Sequence, residues 1–189
     1  MKKLLLAAFL FISTNEIFSQ VNQGQWLVGG NAGFNFGKIG DNKYTTISVA
    51  PDAGYFVINQ LAVGLRPELT YSKTKIKGIG GNSETSSTDF TVAPFVRYYF
   101  MPSGEKVNIF GDASYGFGSS KEKGEESVSS NYYQIAAGPA IFLTPNTALE
   151  LAVYYRSYGG DAFPDDRFNN FGLNVGFQIH LGNGGGGKK

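Results

Sequence analysis

From residue 25 onward, apolar and polar side chains alternate with a period of two, and no stretch shows a convincing helical period. In Gln25–Phe36 the apolar positions are Trp26, Val28, Gly30, Ala32, Phe34 and Phe36. The same alternation recurs in Thr45–Val57, Leu61–Ser72, Phe90–Phe100, Val107–Phe117, Tyr133–Leu143, Leu149–Tyr155 and Phe171–Leu181. Eight strands are therefore predicted, each long enough to cross a bilayer at a tilt.

The two faces differ chemically. No Asp, Glu, Lys or Arg falls on the apolar face of any of these segments. A basic residue at the bilayer midplane on a lipid-facing strand costs about 2–4 kcal/mol, so this exclusion is what a lipid-facing surface requires. The other face mixes glycine and alanine with Asp52, Arg66, Glu68, Arg97, Asp112, Glu150 and Arg156. A soluble up-and-down barrel of the lipocalin type would turn the same pattern inside out. Three features favour the membrane orientation. Small residues accompany the charges, as a narrow lumen needs. Lys and Glu sit mostly between the strands. Aromatic residues cluster at the ends of the apolar faces.

The connections alternate in length. Short turns are expected at Ile58–Gln60, Met101–Lys106 and Thr144–Asn146, and longer polar loops at Gly37–Lys43, Lys73–Thr88, Ser119–Ser130 and Gly159–Asn169. That is the arrangement of outer-membrane barrels, with both termini on the periplasmic side. Phe36, Tyr71, Phe90, Phe117, Tyr133, Tyr155 and Phe171 form an external girdle on this reading, and Trp26, Tyr55, Tyr98, Phe100 and Phe177 a periplasmic one. Four prolines, Pro51, Pro67, Pro94 and Pro139, fall on lipid-facing positions. Each removes a ladder donor that lipid cannot replace, and local bulges are the expected relief.

Composition adds an address. Met1-Lys2-Lys3, the apolar run Leu4–Ile12 and a polar Ser13–Glu16 segment read as a secretory signal peptide over residues 1–20. The apolar run is too short to span a bilayer. With no cysteine, neither a lipoprotein anchor nor disulfides nor thiolate metal sites are expected. Charged residues are 16% and aromatics 15% of the chain, and the net charge of +1 gives no electrostatic case for nucleic acid. The barrel is expected over residues 21–181, followed by a flexible Gly-rich tail over 182–189.

The segments Val49–Val57, Leu61–Leu65, Val92–Phe100, Ala136–Tyr155 and Gly172–Leu181 together resemble the small outer-membrane β-barrel domain family of Bacteroidota-type bacteria, related in form to OmpX and the OmpA transmembrane domain. The resemblance covers the whole mature chain and implies an all-β, eight-stranded antiparallel up-and-down transmembrane β-barrel in the cell outer membrane. It implies no single activity, because fold does not fix function. The expected partners are outer-membrane lipid, the barrel-assembly machinery during insertion and surface ligands met by the loops, the chain acting as a monomer without nucleic acid. One departure is the tail after Leu181, which leaves Phe177-x-Ile179-x-Leu181 as the pattern for assembly-machinery recognition.

The candidate chemistry lies on the inward face. Asp52, Arg66, Glu68, Arg97, Asp112, Glu150 and Arg156 would form an ion-pair network filling the lumen, or else line a polar pore or binding site. A second hairpin turning about Asn59 would set Asp52 opposite Arg66 and Pro51 opposite Pro67, and Arg97 would find Asp112 on the next strand. His180, the single histidine, reads as a structural lumen residue near the periplasmic end. A lipid-modifying enzyme would need histidine, serine and an acid at the external rim, and no inward histidine lies there. No cofactor is expected. Asp161–Asp166 offers carboxylates for a cation but lacks an EF-hand spacing, Lys121–Glu126 is a solvated charged loop, and Lys73–Gly81 lacks the context of a phosphate loop. The expected function is non-enzymatic: envelope structure or surface interaction through the external loops, the alternative being a narrow transport or protein-secretion accessory barrel.

Overall fold

The computed structural model describes residues 21–39, 42–78, 81–161 and 167–182. The leader of residues 1–20, most of the Asp161–Asp166 segment and the tail beyond Gly182 lie outside the described residues. Eight strands follow one another: β1 (Trp26–Ile39), β2 (Asn42–Ile58), β3 (Leu61–Gly78), β4 (Gly81–Tyr99), β5 (Val107–Glu122), β6 (Val128–Thr144), β7 (Thr147–Gly159) and β8 (Phe168–Leu181). Each pairs antiparallel with its sequence neighbours, and β1 pairs with β8 to close the barrel. Closure satisfies backbone groups that lipid could not.

The alternation decides which face looks out. Trp26, Val28, Phe34, Leu65, Leu69, Val96, Ile135, Leu151, Val153 and Val175 are exposed on the outer wall. Asp52, Arg66, Glu68, Arg97, Asp112, Glu150 and Arg156 are buried inside. Girdle rings brace one another, across ladders for Trp26 and Tyr55, edge-on at 5.2 Å, and for Tyr155 and Phe171 at 4.9 Å, and along the chain for Tyr98 and Phe100 at 5.1 Å.

Three expectations need correction. Much of the predicted external loop sequence is strand. β3 and β4 remain paired from Leu61↔Tyr98 to Gly78↔Gly81, turning almost all of Lys73–Thr88 into a hairpin, and β5 runs on to Glu122. Above the girdle both faces of a strand meet water, so the ladder continues while its apolar period disappears.

The prolines carry no bulges. β2–β3 pairing stops after Val49↔Leu69 and resumes in the same register at Ala53↔Leu65, across Pro51 and Pro67. Likewise β4–β5 skips from Val92↔Phe117 to Phe95↔Ser114 at Pro94, and β6–β7 from Ala137↔Val153 to Ala140↔Glu150 at Pro139. On its other side each proline keeps a ladder partner: Gly30 for Pro51, Val92 for Pro67, Leu65 for Pro94 and Ile109 for Pro139. The wall thus opens only on the side each missing N–H would face, and Pro51 and Pro67 share one gap. The register shifts lie elsewhere, between Phe56 and Ile58 and between Phe142 and Thr144, beside the periplasmic turns.

The lumen is also more aromatic than a lining of small and charged residues. Phe56, Phe95, Tyr99, Phe110, Tyr132 and Phe142 are buried inside. Inward glycines make the room. A Cβ on Gly64 would lie 2.7 Å from the Phe95 ring, and one on Gly116 would lie 2.2 Å from Tyr132.

Candidate functional site

The lumen is filled in three tiers. Lowest, towards the short turns, the His180 ring sits among Phe56, Tyr99 and Phe142 with centroids at 5.5, 5.8 and 5.4 Å. Leu27, Ala62, Ala140 and Ala148 complete this apolar floor. The histidine is fully buried, and no metal-binding group of His, Asp and Glu occurs among the described residues. Beneath it, the segment before β1 laces the periplasmic mouth. Val21 O accepts from Gln60 N at 2.7 Å, Gly24 N donates to Phe56 O at 3.0 Å, and Gln25 Nε2 donates to Gly182 O at 3.1 Å.

The middle tier joins five of the predicted residues. Arg66 donates from Nη1 and Nη2 to Asp112 at 3.1 and 2.9 Å, and from Nε and Nη2 to Asp52 at 3.3 and 3.2 Å. Arg97 donates from Nε to Asp112 at 3.0 Å and from Nη1 to Glu150 at 2.8 Å. Tyr99 OH donates to Glu150 at 2.9 Å, and Gln178 Nε2 donates to Asp52 at 3.3 Å. Phe95 lies under the Arg66 guanidinium at 4.6 Å and Phe110 under that of Arg97 at 4.8 Å. Buried charges need such partners, since each ion leaves water at a cost of several kcal/mol. Beside them is a cavity of about 20 Å³, the size of one water, and Asp52 Oδ1 and Ser114 Oγ are buried polar atoms with no hydrogen-bond partner nearby.

The other two predicted residues form a separate upper tier. Arg156 grips Glu68 with Nη1 and Nη2 at 2.7 and 2.9 Å, and its Nε donates to Gln134 at 2.8 Å. Tyr132 OH donates to Glu68 at 3.2 Å, and the Tyr132 ring lies 4.2 Å from the Arg156 guanidinium carbon. Tyr99, Tyr132, Gln134 and Gln178 escaped the sequence-level list, although their parity along the strands already put them on the inward face.

Above this tier a cavity of about 690 Å³ opens towards the long connections. Thr46, Thr70, Ser72, Ser120 and Ser130 line it with hydroxyls, and Glu68, Asp89, Glu122, Glu125 and Glu126 with carboxylates. Among the described residues of this lining, Arg156 is the one cation. On the outer side of the same rim, Lys73 bonds Glu84 directly and Lys75 Nζ lies 2.8 Å from it. The two ammonium groups hold the Glu84 carboxyl down from 4.5 to about 2, and the Glu84 carboxylate in turn raises Lys73.

The geometry can close a barrel to solutes and present a polar vestibule outwards.

Comparison with known proteins agrees with that geometry. The family described as “Outer membrane protein beta-barrel domain” matches residues 4–178. The crystal structure of Neisserial surface protein A shares the fold at a TM-score of 0.59 and 17% identity, covering 83% of this chain and 99% of that one. The outer membrane protein OprG from Pseudomonas aeruginosa superimposes at a TM-score of 0.54 and 11% identity, covering 88% of this chain and 99% of that one. Among curated proteins, no sequence matches the chain.

Proposed function

Because the chain belongs to the outer membrane protein beta-barrel domain family and is therefore an outer-membrane protein embedded in its lipid, we propose that it works as a closed, non-enzymatic envelope barrel that meets surface ligands through its external strand ends. One observation carries the reading. The chain Asp52–Arg66–Asp112–Arg97–Glu150 crosses the lumen from β2 to β7 through fully buried hydrogen bonds. An ion would have to break charge-assisted bonds on two arginines to pass, and beneath them lie the aromatic floor and the laced mouth. What remains open to partners is the hydroxyl- and carboxylate-lined vestibule and the β3–β4 hairpin. The similarity to a protein named for the bacterial surface points the same way.

Conductance across planar bilayers tests the closure. The expected record is silent, or shows only rare, brief openings. Large, stable channels would reject the closed lumen and favour the narrow transport reading. Removing Lys75–Glu84 from the hairpin tests the surface role, with loss of binding to cells or matrix expected in a barrel that still folds.

A further inference from the structure

The barrel's closing ladder is only half made. β1 pairs with β8 from Trp26↔Leu181 to Ala32↔Val175, and there the pairing ends. Above that point Gly33–Lys38 continues to pair with β2, and Asn169–Asn174 continues to pair with β7, but the two edges have no ladder between them. The wall has a lateral slit through its external half.

The lips and lining of the slit are distinctive. Phe171, Leu173, Phe36 and Phe34 flank it on the outside, exposed to 79, 75, 70 and 67%. Two of them belong to the external girdle, so the slit opens at the level of the outer leaflet. Inside, β1 contributes Gly33 and Gly37, which have no side chain to block the gap. Phe168 and Asn170 of β8 belong to the vestibule lining, so the slit's edge is also the vestibule's wall.

Charge narrows the ligand. Asp89, Glu122, Glu125 and Glu126 line the vestibule, while Arg156, the single cation among the described lining residues, is committed to Glu68. An anionic head would face these four carboxylates with no uncommitted cation among the described lining residues to offset them. We infer that the vestibule and the β1–β8 slit form one binding site for a cationic amphipath, its head among the Ser, Thr and acidic side chains and its tail passing between Phe34, Phe36, Phe171 and Leu173 into the bilayer. The volume of about 690 Å³ suits a head of drug-like size. The site lies above the ion-pair tiers, so a barrel silent in conductance can still hold it.

The test uses the full chain in phosphatidylcholine nanodiscs, with dodecylamine as probe and dodecanoate as its anionic counterpart. Amide resonances of Thr46 and Ser130 report the vestibule. Dodecylamine is expected to shift them saturably, at concentrations at least about tenfold lower than dodecanoate requires. The chain has no cysteine, so Gly37→Cys with Asn170→Cys gives a single pair across the slit that oxidative coupling through a bis-methanethiosulfonate spacer bridges without drawing the strands together. Oxidation should abolish the shifts, and reduction should restore them in the same sample. Gly37→Trp fills the gap without needing a bond, and should also abolish them. Shifts that persist after oxidation or in Gly37→Trp, equal shifts with dodecanoate, or no saturable shift in the parent protein would each overturn the inference.

Discussion

Arg66 of β3 and Asp112 of β5 meet through two hydrogen bonds of 3.1 and 2.9 Å, although the whole of β4 stands between their strands in the wall. The contact exists because the sheet curls into a narrow cylinder, bringing strands that are not ladder neighbours within side-chain reach. Removing either partner therefore tests the closed shape as well as the pair.

Arg66→Ala leaves Asp52 and Asp112 buried with half their partners gone. A loss of about 3–5 kcal/mol is expected, read as urea unfolding in lipid vesicles. Replacing Arg66 by Met together with Asp52→Leu and Asp112→Leu should cost much less, because the charges that remain, Arg97 and Glu150, still pair at 2.8 Å. Equal losses for the two variants would show that packing, and not charge, holds the tier.

Gly116→Ala drives a methyl into the Tyr132 ring, which Arg156 and Glu68 pin in place. About 1–3 kcal/mol of destabilisation is expected. Gly116→Ala with Tyr132→Ala should cost less than the sum of the two single changes, a coupling that a double-mutant cycle reads directly. Strict additivity would mean the ring moves aside freely.

Pro94→Ala restores the donor missing from the β4–β5 ladder, where pairing now skips from Val92↔Phe117 to Phe95↔Ser114. The new amide at position 94 should exchange with solvent deuterium at least about tenfold more slowly than amides of the external turns. Fast exchange there would assign the gap to the curvature of the wall instead.

Glu84 is expected to titrate near pH 2 by carbon-detected NMR, against an ordinary value of 4.5. Its folded value is depressed, so the hairpin's ion-pair contribution is full above about pH 4.5 and disappears as the pH falls through 2. Lys73→Gln with Lys75→Gln should return the midpoint to the ordinary range. A midpoint unmoved by that change would remove the lysines as its cause.

The sequence carried the membrane-crossing half of the fold well. Lipid on one side and a lumen on the other impose a period of two that is clear in Leu61–Thr70, and Arg97 could be turned inwards from parity alone. Two kinds of information were weaker. Beyond Tyr71 and before Phe90 both faces are wet, so nothing in Lys73–Thr88 distinguishes a strand from a loop. Within the lumen, parity turns Phe56, Tyr99, Phe110 and Tyr132 inwards, but it does not say which rings stack against His180 and which against the arginines. The Arg97–Asp112 contact lies on one ladder and could be anticipated from register, whereas Arg66–Asp112 spans β4 and needs the curvature of the closed barrel.

The short ladder between β1 and β8 also sets how the cylinder bears load. Seven residue pairs hold that joint, against fourteen between β1 and β2. Tension applied across the wall concentrates at the fewest bonds, so under a pulling force the barrel should unroll there into a curved eight-stranded sheet before any hairpin shears. In mechanical terms the lipid-facing slit is a notch, and the joint below it is where a crack would run.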